Sequence, residues 1–177
     1  MIPTVFVNSD QGVIVNWHIS GAIGFQEELI PEYASFELAE AYCNVVSVIQ
    51  DFYDEHFALG IALDEASFRE ITERGIYLSG DSLGVAWLLG AMCRFFGRTF
   101  PQGILAWGAL KPTRNGGFTL LETGGTELKT KSAEENGFSK IFVHRDEPIP
   151  KFNGEIIRFS GDLTHALKIL EHLIWMN

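Results

Sequence analysis

The sequence has few basic residues. Its 13 lysines and arginines stand against 23 aspartates and glutamates, which gives a net charge of −10. A nucleic-acid-binding surface needs a basic stripe, so this composition argues against nucleic acid as a partner. The acids are concentrated in residues 26–73, which hold twelve of them and a single base, Arg69. We interpret this stretch as a solvated acidic helix face; a docking surface for a basic partner is the alternative.

Cysteines and long apolar runs are also scarce. Cys43 and Cys93 lie in apolar helical patterns without paired or metal-like spacing, so we expect two buried free thiols in a reduced compartment. The longest apolar run, 83–93, is far shorter than the roughly 20 residues that span a bilayer, and the N-terminus lacks the features of a signal peptide. We therefore expect a cytoplasmic protein that uses no membrane, metal or other cofactor.

Strand-like and helix-like segments alternate along the chain. The predicted strands, rich in β-branched and aromatic residues, are 4–8, 12–19, 60–64, 75–78, 104–110, 118–122, 140–144 and 156–159. Apolar residues at helical spacing predict helices of about 18 residues after a Ser35 cap, over 83–96 with a stop at Gly97, over 126–136 after a Thr126 cap, and after a Ser160 cap. This alternation predicts an α/β (α+β) fold, a mixed sheet with covering helices, in which residues 1–177 form a single domain.

One motif suggests chemistry: Gly80-Asp81-Ser82-Leu83-Gly84, immediately before the apolar run. A serine at the start of a helix is one way to present a nucleophile, because unpaired helix N–H groups favour nearby negative charge. The same pattern also fits an ordinary helix N-cap. A serine nucleophile needs a base, and no motif ties any of the five histidines to Ser82. Lys129 is a candidate base if burial favours its neutral form, and a solvated surface lysine is the alternative.

Both segments resemble the proteolytic domain of Lon proteases. The pentapeptide at 80–84 is similar to that family's Gly-Pro-Ser-Ala-Gly segment, and Gly124-Gly125-x-x-x-Lys129 is similar to its Gly-Gly-x-x-x-Lys motif. Gly97 falls where the family ends its helix, and Gly108 matches the glycine of its Thr-Gly-Glu strand. The resemblance covers residues 76–175 and is only schematic over the first 75.

The resemblance implies a Lon-type proteolytic domain, with the fold found in a domain of the fifth protein of the small ribosomal subunit. It implies a serine endopeptidase in which Ser82 is the nucleophile and Lys129 the general base of a Ser-Lys dyad. Its substrates would be unfolded or small proteins and peptides. The sequence has no Gly-x-x-x-x-Gly-Lys-Ser/Thr motif, so the peptidase would be ATP-independent unless an ATPase unfoldase served it in trans. Assembly into a homo-oligomer is a further implication.

The sequence departs from the family's pattern at two informative positions. Asp81 replaces a proline, and a carboxylate that paired with Lys129 would raise the pKa of the amine. Trp107 stands where a threonine usually helps to orient the lysine, and its bulk could narrow the substrate groove.

Two alternatives to the peptidase remain. One is a catalytically inactive Lon-like domain that serves as an oligomerisation or partner-binding module, in which Ser82 is only an N-cap. The other is a Gly-Asp-Ser-Leu-type esterase that would use Ser82 with Asp162 and His165, although the glycine and asparagine oxyanion motifs of those enzymes are lacking.

Overall fold

The computed structural model describes residues 1–8, 10–20, 24–25, 36–53, 56–78 and 80–176. The helices in this part of the chain are α1 (Phe36–Phe52), α2 (Glu65–Arg74), α3 (Gly84–Phe95), α4 (Thr126–Glu135) and α5 (Leu163–Trp175). The strands are β1 (Ile2–Val7), β2 (Gly12–Ser20), β3 (Gly24–Phe25), β4 (Gly60–Leu63), β5 (Ile104–Ala106), β6 (Ala109–Pro112), β7 (Phe118–Leu121), β8 (Lys140–His144) and β9 (Glu155–Phe159).

The strands are divided among three small sheets. A four-stranded sheet has the order β1-β2-β4-β3, antiparallel except that β3 runs parallel to β4. A three-stranded sheet, β5-β8-β9, is parallel, and β6 pairs with β7 as an antiparallel hairpin. The chain therefore has the predicted mixed α/β (α+β) character, with its strands spread over several sheets instead of one. None of the helices in the described part is long and apolar enough to cross a membrane.

Helix α3 is the centre of the core, because the predicted apolar run is apolar on all sides. Every residue from Gly84 to Cys93 is buried, and the helix packs on α1, α5, β1 and β2. A side chain at Gly90 would overlap Ile2, so β1 lies directly against the helix. The rings of Trp17 and Trp87 meet edge to face with centroids 4.9 Å apart. This packing fixes the start of α3, where the candidate serine lies.

The buried face of α1 differs from the predicted one. Phe36 is 82% exposed and Cys43 is exposed, whereas Leu38, Val45 and Val48 are buried. Of the apolar positions whose helical spacing predicts this helix, Ile49 alone is fully buried; the others are Phe36, Ala39, Cys43 and Val46. The buried stripe is therefore rotated relative to the predicted one, and the expectation of a buried thiol at Cys43 is wrong. Cys93 is buried as predicted, and burial raises the pKa of its thiol to about 12. The predicted Ser35 cap lies outside the described residues.

The acidic stretch is largely exposed where the structure describes it. Residues 26–35 and 54–55 lie outside that part of the chain. The exposed carboxylates are on Glu37, Asp51, Glu65, Glu70 and Glu73. Glu40 and Asp64 are the exceptions among the described acids, because Glu40 pairs with a lysine beside the serine turn and Asp64 caps α2.

Several element ends differ from the predictions. The predicted strand at 75–78 is wrong: residues 65–74 form α2, and Gly75 ends it in the left-handed conformation with φ 61°. Helix α4 begins after Gly125 without a side-chain cap, and α5 is capped by Asp162, not Ser160. The predicted strand at 104–110 is interrupted between β5 and β6 at Trp107 and Gly108. In each case a glycine conformation or a competing hydrogen bond decided the local geometry.

Candidate active site

The serine turn is fastened to the connection between β5 and β6. Gly108 N donates a hydrogen bond to Ser82 O at 2.7 Å, and Val85 N donates to Gly108 O at 3.1 Å. The N-cap position of α3 is Leu83, which provides no side-chain cap. Among the described residues, Ser82 Oγ has no hydrogen-bond partner. Ser82 therefore does not serve as the helix cap, and its partly exposed hydroxyl is available for other contacts.

The backbone at this turn has spare hydrogen-bond donors. Within the described part of the chain, the N–H groups of Asp81, Ser82 and Leu83 donate to no other residue. They lie at the N-terminus of α3, where the helix dipole gives a partial positive charge. Such donors can stabilise an oxyanion that forms next to the serine.

Lys129 is buried in the first turn of α4. The residue is 3% exposed, and its Nζ donates a hydrogen bond to Thr123 Oγ1 at 2.7 Å. The ammonium also lies 6.0 Å from the centroid of the Trp107 ring. Burial lowers the pKa of Lys129 to about 8, although the charges of Glu147 and Asp81 partly oppose this by favouring the ammonium. About a tenth of the amine is then neutral at pH 7, so Lys129 has the acid–base property that a general base needs.

Ser82 and Lys129 line the same cavity. Its volume is about 330 Å³, and its wall also includes Phe6, Val7, Gly80, Asp81, Thr123, Gly124 and Gly125. The two side chains are not hydrogen-bonded to each other in the described structure; the lysine amine donates to Thr123 Oγ1 instead. The sequence-predicted pair thus shares one cavity, with the base directed at a threonine and not at the serine.

Asp81 does not pair with Lys129. Its carboxylate lies 2.7 Å from Lys111 Nζ, and the same nitrogen lies 3.0 Å from the carboxylate of Glu40 on α1. Asp81 therefore affects the pKa of Lys129 only through its charge and not as a salt-bridge partner. The direct pairing that the sequence suggested as a hazard is absent between these described residues.

Glu147 is a site residue that the sequence did not reveal. It is 2% exposed, and its carboxylate accepts hydrogen bonds from Thr126 Oγ1 at 2.5 Å and from Thr123 N at 2.9 Å. These bonds hold both sides of the Gly124-Gly125 turn that precedes Lys129. Nothing near residue 147 in the sequence signals this contact, since its partners are 21 and 24 residues away.

Trp107 lies behind the site and not in its opening. The residue is 1% exposed, and it is not part of the wall of the cavity that holds Ser82. Its indole faces the Lys129 amine, so its bulk contributes to the burial that lowers the pKa of the lysine. The expectation that Trp107 narrows the groove finds no support in this geometry.

The residues of the esterase alternative lie elsewhere. Asp162 accepts a hydrogen bond from His165 N at 2.8 Å and so caps α5, and His165 Nδ1 lies 3.3 Å from Ser160 Oγ. Asp162 lines a separate cavity with Thr119 and Gly161, and neither Asp162 nor His165 borders the cavity of Ser82. A Ser-Asp-His arrangement is therefore not assembled around Ser82.

No protein-family model matches this chain, and a search of curated proteins finds no match either.

Proposed function

We propose that the protein is a Lon-like serine endopeptidase that hydrolyses peptide bonds of small or unfolded substrates through Ser82 and Lys129. The observation that carries the proposal is a buried lysine, with a pKa lowered to about 8, that lines one cavity with a serine hydroxyl free of hydrogen bonds among the described residues. The Lon-type fold is part of the same proposal. It is supported by the order of the serine turn, the Gly124-Gly125 turn and Lys129 along the chain.

The reaction begins when the neutral amine of Lys129 moves from Thr123 to Ser82. The amine takes the proton of the Ser82 hydroxyl while Oγ attacks the peptide carbonyl, which forms a C–O bond and an oxyanion. The free N–H groups of the serine turn stabilise that oxyanion. Collapse of the oxyanion breaks the C–N bond as the Lys129 ammonium gives its proton to the leaving amine. Water then attacks the acyl-enzyme carbonyl while neutral Lys129 takes one of its protons. Collapse of this second intermediate breaks the bond to Ser82 Oγ, which takes the proton from Lys129, so that the hydroxyl and the neutral amine are restored.

The volume of the cavity limits the size of the substrate segment that it can hold. A volume of about 330 Å³ accommodates a short peptide segment and not a folded domain. A folded substrate would therefore need an ATPase unfoldase acting in trans, whereas an unfolded chain can enter directly. Self-assembly of the protein into a homo-oligomer is expected from the resemblance alone.

A non-catalytic partner-binding or oligomerisation module is the second candidate. One observation favours it: Lys129 Nζ donates its hydrogen bond to Thr123 Oγ1 at 2.7 Å and not to Ser82. In such a module the buried lysine would act only as a structural link to the Gly124-Gly125 turn.

Cleavage of a fluorescently labelled unfolded protein separates the two candidates. Wild type should release fluorescent peptides, while Ser82→Ala and Lys129→Ala should lose at least 100-fold in rate. Lys131→Ala is the matched control, because this exposed lysine lies on the same helix and, among the described residues, pairs with Glu135 alone, at 3.8 Å. A fluorophosphonate should label Ser82 in the wild type, as detected by mass spectrometry. Equal rates in all variants, or no cleavage by wild type with or without an added unfoldase, would refute the peptidase and leave the module.

A further inference from the structure

Lys111 links three elements beside the serine turn. It lies on β6, and its Nζ reaches Asp81 of the turn at 2.7 Å and Glu40 of α1 at 3.0 Å. All three side chains are only partly exposed, at 27%, 29% and 32% for Lys111, Asp81 and Glu40. The adjacent Leu110 carbonyl accepts a hydrogen bond from Asn44 at 2.8 Å, which anchors the same part of β6 to α1. Lys111 is therefore held in a fixed frame next to Ser82.

Asp81 contacts one lysine, Lys111, and shares a cavity wall with another, Lys129. It belongs to the wall of the cavity that Lys129 also lines, yet its carboxylate is bonded to Lys111. A carboxylate without a partner in that wall would attract the ammonium of Lys129, since an opposite charge at about 4–6 Å favours the charged form of a base. A base held as an ammonium cannot accept the proton of Ser82.

We propose that Lys111 is a positioning residue of the active site, which holds the Asp81 carboxylate toward α1 and so keeps Lys129 able to release its proton. This inference rests on the proposed peptidase for its consequence, because only then does the neutral amine matter for activity. Its physical content, a competition between two lysines for one carboxylate, can be tested without turnover.

Of the two carboxylates that act on Lys129 among the described residues, Asp81 is the one whose position can change. Glu147 also acts on the amine, but its carboxylate is fixed by Thr123 and Thr126. On α4 itself Glu127 and Lys131 are exposed. Strands β1 and β2 pack against α4, and neither has a titratable side chain except the exposed His18 near the far end of β2.

Lys111 keeps its charge where Lys129 titrates. Burial lowers the pKa of Lys111, but hydrogen bonds to Asp81 and Glu40 and the charges of these two carboxylates outweigh burial, so the pKa is raised overall. The pKa values of the two lysines at this site are thus shifted in opposite directions from that of an ordinary lysine, upward for Lys111 and downward for Lys129. Lys111 is the permanent cation, and Lys129 is the group that gains and loses a proton.

The test measures the pKa of Lys129 by NMR in protein labelled at the lysine side chains, with the signal assigned from Lys129→Arg. In Lys111→Met the pKa should rise by about one unit or more, because Asp81 becomes free to pair with Lys129. The pH–rate midpoint for peptide hydrolysis should rise equally, which lowers the rate at pH 7 about tenfold. Adding Asp81→Asn to Lys111→Met should reverse both shifts, and Lys111→Arg should leave them near wild type.

Lys140→Met is the matched control, because Lys140 also pairs with a glutamate across strands, Glu155 at 3.0 Å. It changes the net charge equally and should leave the pKa of Lys129 unaltered. Lys111→Leu, which also removes the donor to both carboxylates, replaces Lys111→Met if that variant does not fold. An unchanged pKa of Lys129 in Lys111→Met, or an equal shift in Lys140→Met, would overturn the inference. Because the pKa is read directly, a protein without peptidase activity still decides this point, so failure of the proposed function is recognised separately.

Discussion

Lys129 Nζ donates a hydrogen bond to Thr123 Oγ1 at 2.7 Å, across the Gly124-Gly125 turn. The Lon resemblance assigns the orientation of the lysine to a threonine at the position of Trp107. Here the Thr123 hydroxyl accepts the hydrogen bond of the amine instead, and the centroid of the Trp107 ring lies 6.0 Å from the amine. The direction of the lysine is thus set by a residue that lies in a different segment from the one the resemblance indicates.

Replacing Thr123 by valine tests this hydrogen bond. The methyl group preserves the shape of the side chain, but the buried amine loses its acceptor, which costs about 1–3 kcal/mol of unfolding free energy. If the proposed function is correct, peptide hydrolysis should also fall at least tenfold, because the base is no longer held beside the cavity. Thr123→Ser keeps the hydroxyl and should remain close to wild type in both measurements. Equal stability of the valine and serine variants in urea denaturation would show that the bond contributes nothing.

The lowered pKa of Lys129 makes a prediction about stability and pH. An unfolded lysine has a pKa near 10.5 and the folded one about 8, so the unfolded state binds more protons between these values. The contribution of this group to stability is therefore greatest above pH 10.5 and is lost as the pH falls through 8. Below pH 8 the fold therefore bears the cost of a protonated lysine in a buried position. Lys129→Met removes this cost and should stabilise the fold at pH 7 by up to about 3 kcal/mol, the free energy equivalent to the pKa shift.

Denaturation of wild type and Lys129→Met at several pH values checks this sign. The difference between the two proteins should shrink as the pH rises from 8 to 10.5. Lys131→Met, which removes an exposed lysine of the same helix, should show no such change. A stability difference between the two proteins that stays constant from pH 8 to 10.5 would contradict the lowered pKa.

Replacing Glu147 by glutamine separates charge from hydrogen bonding. The amide oxygen can keep the bond from Thr123 N, and the amide nitrogen can donate to Thr126 Oγ1, so only the stronger bonding of a charged acceptor is lost, at a cost of about 1 kcal/mol. At the same time the pKa of Lys129 should fall below about 8, because the negative charge that raises it is gone. Glu135→Gln on the exposed side of α4 is the control for net charge. NMR titration of Lys129 reads the shift, and an unaltered pKa would show that Glu147 acts only as a structural link.

Some elements could be predicted from local sequence and others could not. The strand over 140–144 has the predicted bounds, and the central helix differs by one residue at each end, because an unbroken apolar run and Gly97 define it. Helix α2 was missed since its exposed, polar sequence buries only Ser67 and Ile71. Its ends were nevertheless marked, by Asp64, which caps it through Ser67 N, and by Gly75.

Some residues of the candidate site could likewise be predicted from the sequence, and others could not. The motifs indicated Ser82 and Lys129, and the fold brings both to one cavity. The residues that tune them, Lys111, Thr123 and Glu147, were missed. Their decisive contacts depend on packing between distant segments: Lys111 meets Glu40 across 71 residues, and Glu147 meets Thr126 across 21. Periodicity describes which face of an element is buried and contains no information on such pairs.

Gly108 tests how strictly the serine turn is positioned. Its φ of 154° is unfavourable for other residues, and a Cβ there would lie 2.8 Å from both Phe159 Cζ and Val85 Cγ2. Gly108→Ala should therefore destabilise the fold by about 2–4 kcal/mol and disturb the Gly108 N to Ser82 O bond. Gly97→Ala is the matched control, since its φ is 63° but nothing lies within 4 Å of the added carbon; it should cost about 1 kcal/mol. If both variants lose the same unfolding free energy, the backbone angle alone matters, and the close contact of Gly108 with α3 and β9 does not constrain Ser82.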